Sequence, residues 1–207
     1  MITLDPNELK GKEMYKLLSG TIVPRPIAFV TTSSTVNGAV NAAPFSFFNI
    51  VSSDPPLISL SIGRKKGNAM KDTARNAIEN GELVVHISTE DIIEDINETA
   101  ALLPAAISEL ELTGLNIVES THVSVPGILE AKVRFECRLE HHHEIKNDQG
   151  KTVADFLMAR VIFVHMDERV YDLQKGYVLT EALRPVARLA GSDYAELGKL
   201  YSLVRPE

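Results

Sequence analysis

Residues 132–140 alternate without a break. Val133, Phe135, Cys137 and Leu139 fall in one phase, and Lys132, Arg134, Glu136, Arg138 and Glu140 in the other. Side chains along a strand point to opposite faces in turn, so this run predicts a strand with one apolar and one wet face. Residues 147–150 read as a turn, and 153–170 return as a second long strand, completing an antiparallel hairpin. Three further strand-like runs lie at 26–32, 39–51 and 57–62. Residues 27–30 are continuously apolar, as expected where both faces are covered. Pro24 and Pro26 bracket Arg25 and hold the lead-in extended. Asn37-Gly38 is a hairpin signal, Asp54-Pro55-Pro56 is a turn, and 82–87 adds a strand.

Helical patterns are fewer. Residues 7–18 carry a partial stripe that ends at Gly20. Asp72 can cap a helix over 73–79 that stops near Asn80-Gly81, and Thr89 can cap one over 89–99. Residues 112–124 are irregular, and the tail from Tyr177 mixes short helical pieces with an arm-like stretch at 181–194. Closely spaced strands with a few helices predict a mainly β chain, an antiparallel barrel or sandwich with helical additions.

Composition narrows the function. The 207 residues carry a formal charge of −7, the opposite of the basic excess of a nucleic-acid or anionic-membrane binder. No segment approaches the ~18 apolar residues of a membrane span. The first ten residues show no signal-peptide or lipidation pattern, so a cytoplasmic protein is expected. The lone Cys137 excludes an intrachain disulfide. No repeat or linker divides the chain, and 1–207 is expected to form a single domain.

An anionic ligand must then be held by local cations. Arg64, Lys65, Lys66 and Lys71 cluster on a glycine-flanked loop before a helix start, with Ser61 and Thr73 adjoining. Helix N–H groups and such cations both favour a phosphate; a solvated charged loop is the alternative. Thr31, Thr32, Asn41 and Ser46 are the polar members of apolar strands, suited to a ligand or to satisfying the backbone. Small residues at Ala42 and Ala43 allow close approach to the backbone. His141, His142 and His143 are consecutive on a strand, so they cannot converge on one metal ion. Cys137 reads as a buried thiol and His165 as a packed structural histidine. No G-x-G-x-x-G follows a strand, and no Ser/His/Asp arrangement can be established. A cofactor that brings its own reactivity would account for this.

Ordered motifs sharpen the reading. Residues 24–32 (PRPIAFVTT), 41–46 (NAAPFS), 54–57 (DPPL), 71–76 (KDTARN), 135–137 (FEC) and 188–194 (RLAGSDY) resemble the flavin reductase-like family of FMN-binding split barrels. The resemblance spans roughly residues 10–200 and departs at Ala190, where the family more often has glycine. It implies a Greek-key split β-barrel carrying an N-terminal helix and a C-terminal arm, and a homodimer with FMN near the subunit interface. By the same resemblance, Asn41, Ala42 and Ala43 run along the isoalloxazine, and Thr31 or Thr32 meets the ring or ribityl chain. Ser46 and Phe47 line the cofactor, and Arg64, Lys71 and Thr73 hold the phosphate. Tyr194 and the turn beginning at Arg188 close over the flavin. The implied activity passes electrons from NAD(P)H through FMN to free flavin or another acceptor, with no catalytic side chain. An FMN electron carrier reduced by a protein partner and a non-catalytic dimeric module are the alternatives.

Overall fold

The computed structural model describes residues 1–206. In chain order its helices are α1 (Gly11–Thr21), α2 (Asp72–Asn80), α3 (Ile93–Glu98) and α4 (Thr180–Leu183). The strands are β1 (Arg25–Pro26), β2 (Ala28–Ser33), β3 (Val40–Phe45), β4 (Phe48–Ser53), β5 (Pro56–Gly63) and β6 (Glu82–Ile87). They continue with β7 (Ile117–Val118), β8 (Gly127–Ile128), β9 (Val133–Lys146), β10 (Thr152–Met166), β11 (Tyr171–Asp172), β12 (Tyr177–Val178), β13 (Ala187–Arg188) and β14 (Tyr194–Ala195).

Seven strands form an antiparallel sheet in the order β3-β2-β6-β9-β10-β5-β4, curled as a split barrel. Its spine is the β9–β10 hairpin that the period-two run predicted. Inside the barrel, Val30, Ile58, Leu60, Ile62, Leu83 and Leu157 pack together, and α2 adds Ala74 and Ala77. A second core lies outside, where Phe29 and Ala42 meet Ile92, Ile96 and Ile128. Phe29 and Val30 are neighbours in opposite cores, the arrangement a continuously apolar strand demands.

Four expectations are corrected. The run at 39–51 is two strands, β3 and β4, which lie at opposite edges of the sheet. The chain crosses the open side of the barrel at Ser46-Phe47, where Ser61 N–H donates to the Phe47 carbonyl at 2.9 Å. Pro44 lacks the N–H that a central strand would use there. The second face of β9 is not wet along its length: Glu136 is fully buried under the loop leading into β8. Lys71, not Asp72, is the N-cap of α2: its backbone is extended and Asp72 is the first helical residue, with its carboxylate taken by Lys65 and Arg75. Thr89 caps no helix. It bridges to Pro185, and α3 begins four residues later.

Candidate functional site

The break between β3 and β4 leaves β3 as a sheet edge, and the start of α2 lies against it. A cavity of about 80 Å³ opens there, room for a few waters or a phosphate-sized group. Asn41, Ala43 and Phe45 form one wall, Lys65, Lys71 and Thr73 a second, and the segment from Thr99 to Glu109 a third. α2 has no side chain bonded to its first-turn amides, so its positive end is available at the cavity.

Two ammonium groups share this space. Burial lowers the Lys71 pKa, and the nearby charge of Lys65 lowers it further. The Lys71 Nζ also lies 5.6 Å from the centroid of the Phe45 ring. Lys65 pairs with Asp72, whose second oxygen receives Arg75 at 2.5 Å. Burial would raise the Asp72 carboxyl, but these bonds hold it below the usual carboxylate range. Crowded cations on a helix N-terminus are the donor set that suits an anion.

Glu109 is the remaining charge, on the 3₁₀ turn Glu109–Leu112. Its Oε1 accepts Asn41 Nδ2 at 2.8 Å and its Oε2 accepts Ala42 N–H at 3.0 Å. The Ala42 bond satisfies an edge-strand donor that no neighbouring strand reaches. Burial raises the Glu109 carboxyl, the bonds from Ala42 and Asn41 act the other way, and the charge of Asp72 adds to the rise. Asn41 in turn accepts the Thr73 hydroxyl at 2.6 Å.

Asn41, Ala43, Lys71 and Thr73 are thus brought to one cavity. Ala42 supplies its backbone to Glu109 while its side chain faces the outer core. Thr31 and Thr32 are fully buried: Thr31 donates to the Pro126 carbonyl at 2.7 Å, and Thr32 meets Asn76 at 3.3 Å. Arg64 does not line the cavity. Its guanidinium turns to Asp155 at 2.6 Å and Glu144 at 3.1 Å, and His142 joins the same Asp155 at 2.9 Å. Ser46 and Phe47 sit on the crossover, with Phe47 half-exposed.

Arg188 stacks over the Tyr194 ring at 4.4 Å, and the Tyr194 hydroxyl donates to Asn97 at 2.9 Å, beside α3. Their sheet, β1-β13-β14, is held by buried Arg25, which donates to the carbonyls of Ser19, Ile22 and Leu189. Arg25 therefore ties the lead-in strand to the closing turn.

Sequence reasoning missed Glu109 and the part Asp72 plays. Glu109 lies in a stretch without periodicity, where a charged residue reads as solvated. Lys65 is visible in the sequence as a cation, though not as the one nearer the cavity than Arg64.

Residues 19–179 match the model of the flavin reductase like domain. The chain belongs to the flavin reductase-like family. A Bacillus subtilis relative, the uncharacterized protein YwrF, is 62% identical over 206 residues, 100% of both chains. The crystal structure of nitrilotriacetate monooxygenase component B from Bacillus cereus is similar with a TM-score of 0.94 at 49% identity, covering 98% of each chain. The Pseudomonas fluorescens 2-nitrobenzoate 2-nitroreductase NbaA is similar with a TM-score of 0.88 at 29% identity, covering 99% of this chain and 96% of that one. In this flavin reductase-like chain the family's match ends at residue 179, before the Arg188–Tyr194 pair.

Proposed function

We propose that this chain, acting as one flavin-binding unit, binds FMN and works as an NAD(P)H-dependent oxidoreductase. The observation that carries the reading is the cavity in which Lys65, Lys71, Thr73 and the start of α2 converge beside β3. The donor set fits a phosphate, and the cavity's size suits that end of the cofactor rather than its ring. Lys65 takes the place first expected of Arg64, which is committed to carboxylates. Asn41, Ala43, Ser46 and Phe47 follow one another from the cavity toward the crossover, a path for the rest of the cofactor. Bound FMN supplies the hydride and electron chemistry. The chain's own residues would anchor the phosphate and shield the cofactor from water, with no side-chain acid required.

A homodimer fits the same reading. Away from the cavity's lining residues, Pro26, Phe48, Ile50, Phe135 and Val161 form an apolar opening of about 400 Å³, and Ile50 and Val51 on the edge strand β4 are exposed. A second copy covering this mouth would bury the edge strand. The physiological acceptor is free flavin or a partner oxygenase, a reading supported by likeness to the Bacillus cereus protein, itself component B of a monooxygenase.

The test is the absorption spectrum of purified protein with FMN before and after anaerobic NADH or NADPH, with steady-state oxidation alongside. Bleaching of the flavin bands and turnover stimulated by free FMN are expected. A bound flavin that neither nucleotide reduces would replace this reading with an electron carrier loaded by a protein partner. Failure to bind FMN at all would leave a non-catalytic module.

A further inference from the structure

A phosphate cradle has no evident need of a carboxylate, yet Glu109 lines this one at 7% exposure. Three side chains form a relay. Glu109 accepts from Asn41 Nδ2, and Asn41 Oδ1 accepts from the Thr73 hydroxyl. An ionised carboxylate only accepts, so it dictates which end of the Asn41 amide faces it. The single Thr73 proton is then committed to Asn41, and the hydroxyl can offer a phosphate only lone pairs.

One proton reverses the relay. Glu109 protonated on Oε1 donates to Asn41 Oδ1 while Oε2 still accepts Ala42 N–H. The Asn41 amide flips, its Nδ2 donates to the Thr73 oxygen, and the Thr73 hydroxyl, keeping its proton, turns it toward the cavity. Every bond of the relay survives with its direction inverted.

We propose that Glu109 is a positioning residue of the anion cavity: its protonation, relayed through Asn41, turns the Thr73 hydroxyl into a donor toward a bound phosphate. The inference rests on the phosphate reading of the cavity. It makes binding of a phosphate-bearing ligand take up a proton from solvent at Glu109. Burial and Asp72 already favour the protonated carboxyl. The other charges facing the cavity are Lys65 and Lys71, which oppose protonation, and Arg75 is bound to Asp72. β3 and residues 99–103 contribute no titratable group, and Glu111 on the same turn is exposed. An arriving phosphate offsets the two lysines and so shifts Glu109 further toward its protonated form.

Glu109→Gln reproduces the reversed relay, since Oε1 can accept from Ala42 and Nε2 can donate to Asn41. FMN and riboflavin affinities are to be measured from pH 5.5 to 8.5 in wild type, Glu109→Gln, Thr73→Val and the double variant. Near pH 8, Glu109→Gln should bind FMN about tenfold more tightly than wild type, the size of one charge-assisted contact, with riboflavin little changed. The gap should narrow as pH falls. In the Thr73→Val background the gain should vanish, and Thr73→Ser should keep it. Calorimetry in buffers of different ionisation enthalpy should show proton uptake in wild type in excess of that in Glu109→Gln, which cancels the ligand's own titration. A gain that persists in Thr73→Val reports charge removal alone and overturns the relay, as does a Glu109→Gln variant with wild-type pH dependence. Lys71→Ala separates the two levels. If it weakens FMN and riboflavin equally, the phosphate reading fails and the relay with it. If it weakens FMN selectively while Glu109→Gln changes nothing, only the relay fails.

Discussion

Two glutamates among the described residues are buried, and both accept backbone N–H groups, yet their carboxyls are driven in opposite directions. Glu136, on β9, accepts from Thr121 and His122 at 2.6 Å, from Val123 at 3.2 Å and from His165 at 2.5 Å. Burial would raise it, but His165 and the loop amides win and hold it below the usual range. At Glu109 burial outweighs the bonds from Ala42, its own backbone and Asn41, all neutral donors, and Asp72 adds to the effect. The weight of desolvation and the neighbour, a histidine at one and a carboxylate at the other, decide the sign. A carboxylate with four donors stays charged and acts as a pin. One with only neutral donors, heavier desolvation and a carboxylate neighbour keeps a proton within reach and is free to change state.

The largest effect is expected at the pin. Glu136→Ala orphans three loop amides and His165, and should cost about 3–5 kcal/mol of unfolding free energy in urea. A loss below about 1 kcal/mol would mean that water replaces the carboxylate easily. The comparison with Glu109 would then rest on the charged neighbours alone.

The same loop has a second pin. Fully buried His86 places Nδ1 2.8 Å from the Phe29 carbonyl, and its Nε2 accepts Ile128 N–H at 2.9 Å. That pattern requires the neutral ring protonated on Nδ1. Burial, abetted by Arg134, lowers its pKa from 6.5 to about 4, against the pull of the Phe29 bond. The folded state therefore binds this proton less readily than the unfolded state. Its contribution is complete above about pH 6.5 and is lost as pH falls toward 4, on the order of 3 kcal/mol in all. Glu136 has a lowered pKa as well, so its contribution also fades in acid. Amide exchange should show the loop leading into β8 loosening first as pH falls from 6.5 to 4.5. Imidazole NMR should find His86 still neutral at pH 5.5; a protonation midpoint near 6.5 would remove this pin from the account.

At the cavity the effect is on binding. Lys71→Ala should cost about 1–3 kcal/mol of FMN affinity, with a smaller loss for riboflavin. Arg64→Ala should leave that difference between the ligands almost unchanged, because Arg64 is bound to Asp155 and Glu144. Its cost should appear as lost stability, since it strands a fully buried Asp155. Selective loss of FMN in Arg64→Ala would return Arg64 to the phosphate.

These outcomes follow where the sequence was readable and where it was not. The β9–β10 hairpin was legible because its strict alternation faces one core. The split between β3 and β4 was not, because both strands are short and extended and only tertiary pairing sends them to opposite edges. Lys71 and Thr73 stood out as a cation and a hydroxyl beside a helix start, and both line the cavity. Arg64 read as a free cation because its partner Asp155 lies 91 residues away, in a strand where its phase alone does not reveal a buried carboxylate. Glu136 occupied the polar phase of β9 and read as wet, since a covering loop has no periodicity to announce it. Glu109 shares that invisibility, being a charge on an irregular segment.

The smallest effect tests the comparison most directly. Glu109 has a folded pKa above its unfolded one, the reverse of Glu136. Its contribution to stability is present below the unfolded pKa and is lost as pH rises through the folded value. At neutral pH the charged carboxylate is therefore a net liability without ligand. Glu109→Gln keeps both hydrogen bonds and removes the charge, so it should raise stability at pH 7 by about 0.5–1 kcal/mol. The gain should shrink in acid, where wild type is itself neutral. Glu136→Gln should do the opposite, lowering stability at pH 7 by more than it does near pH 4. Urea unfolding of the two variants at both pH values therefore yields four differences whose signs are fixed in advance. If both substitutions destabilise at pH 7 alike, the two carboxylates are equivalent pins, and Glu109 has no free proton to relay.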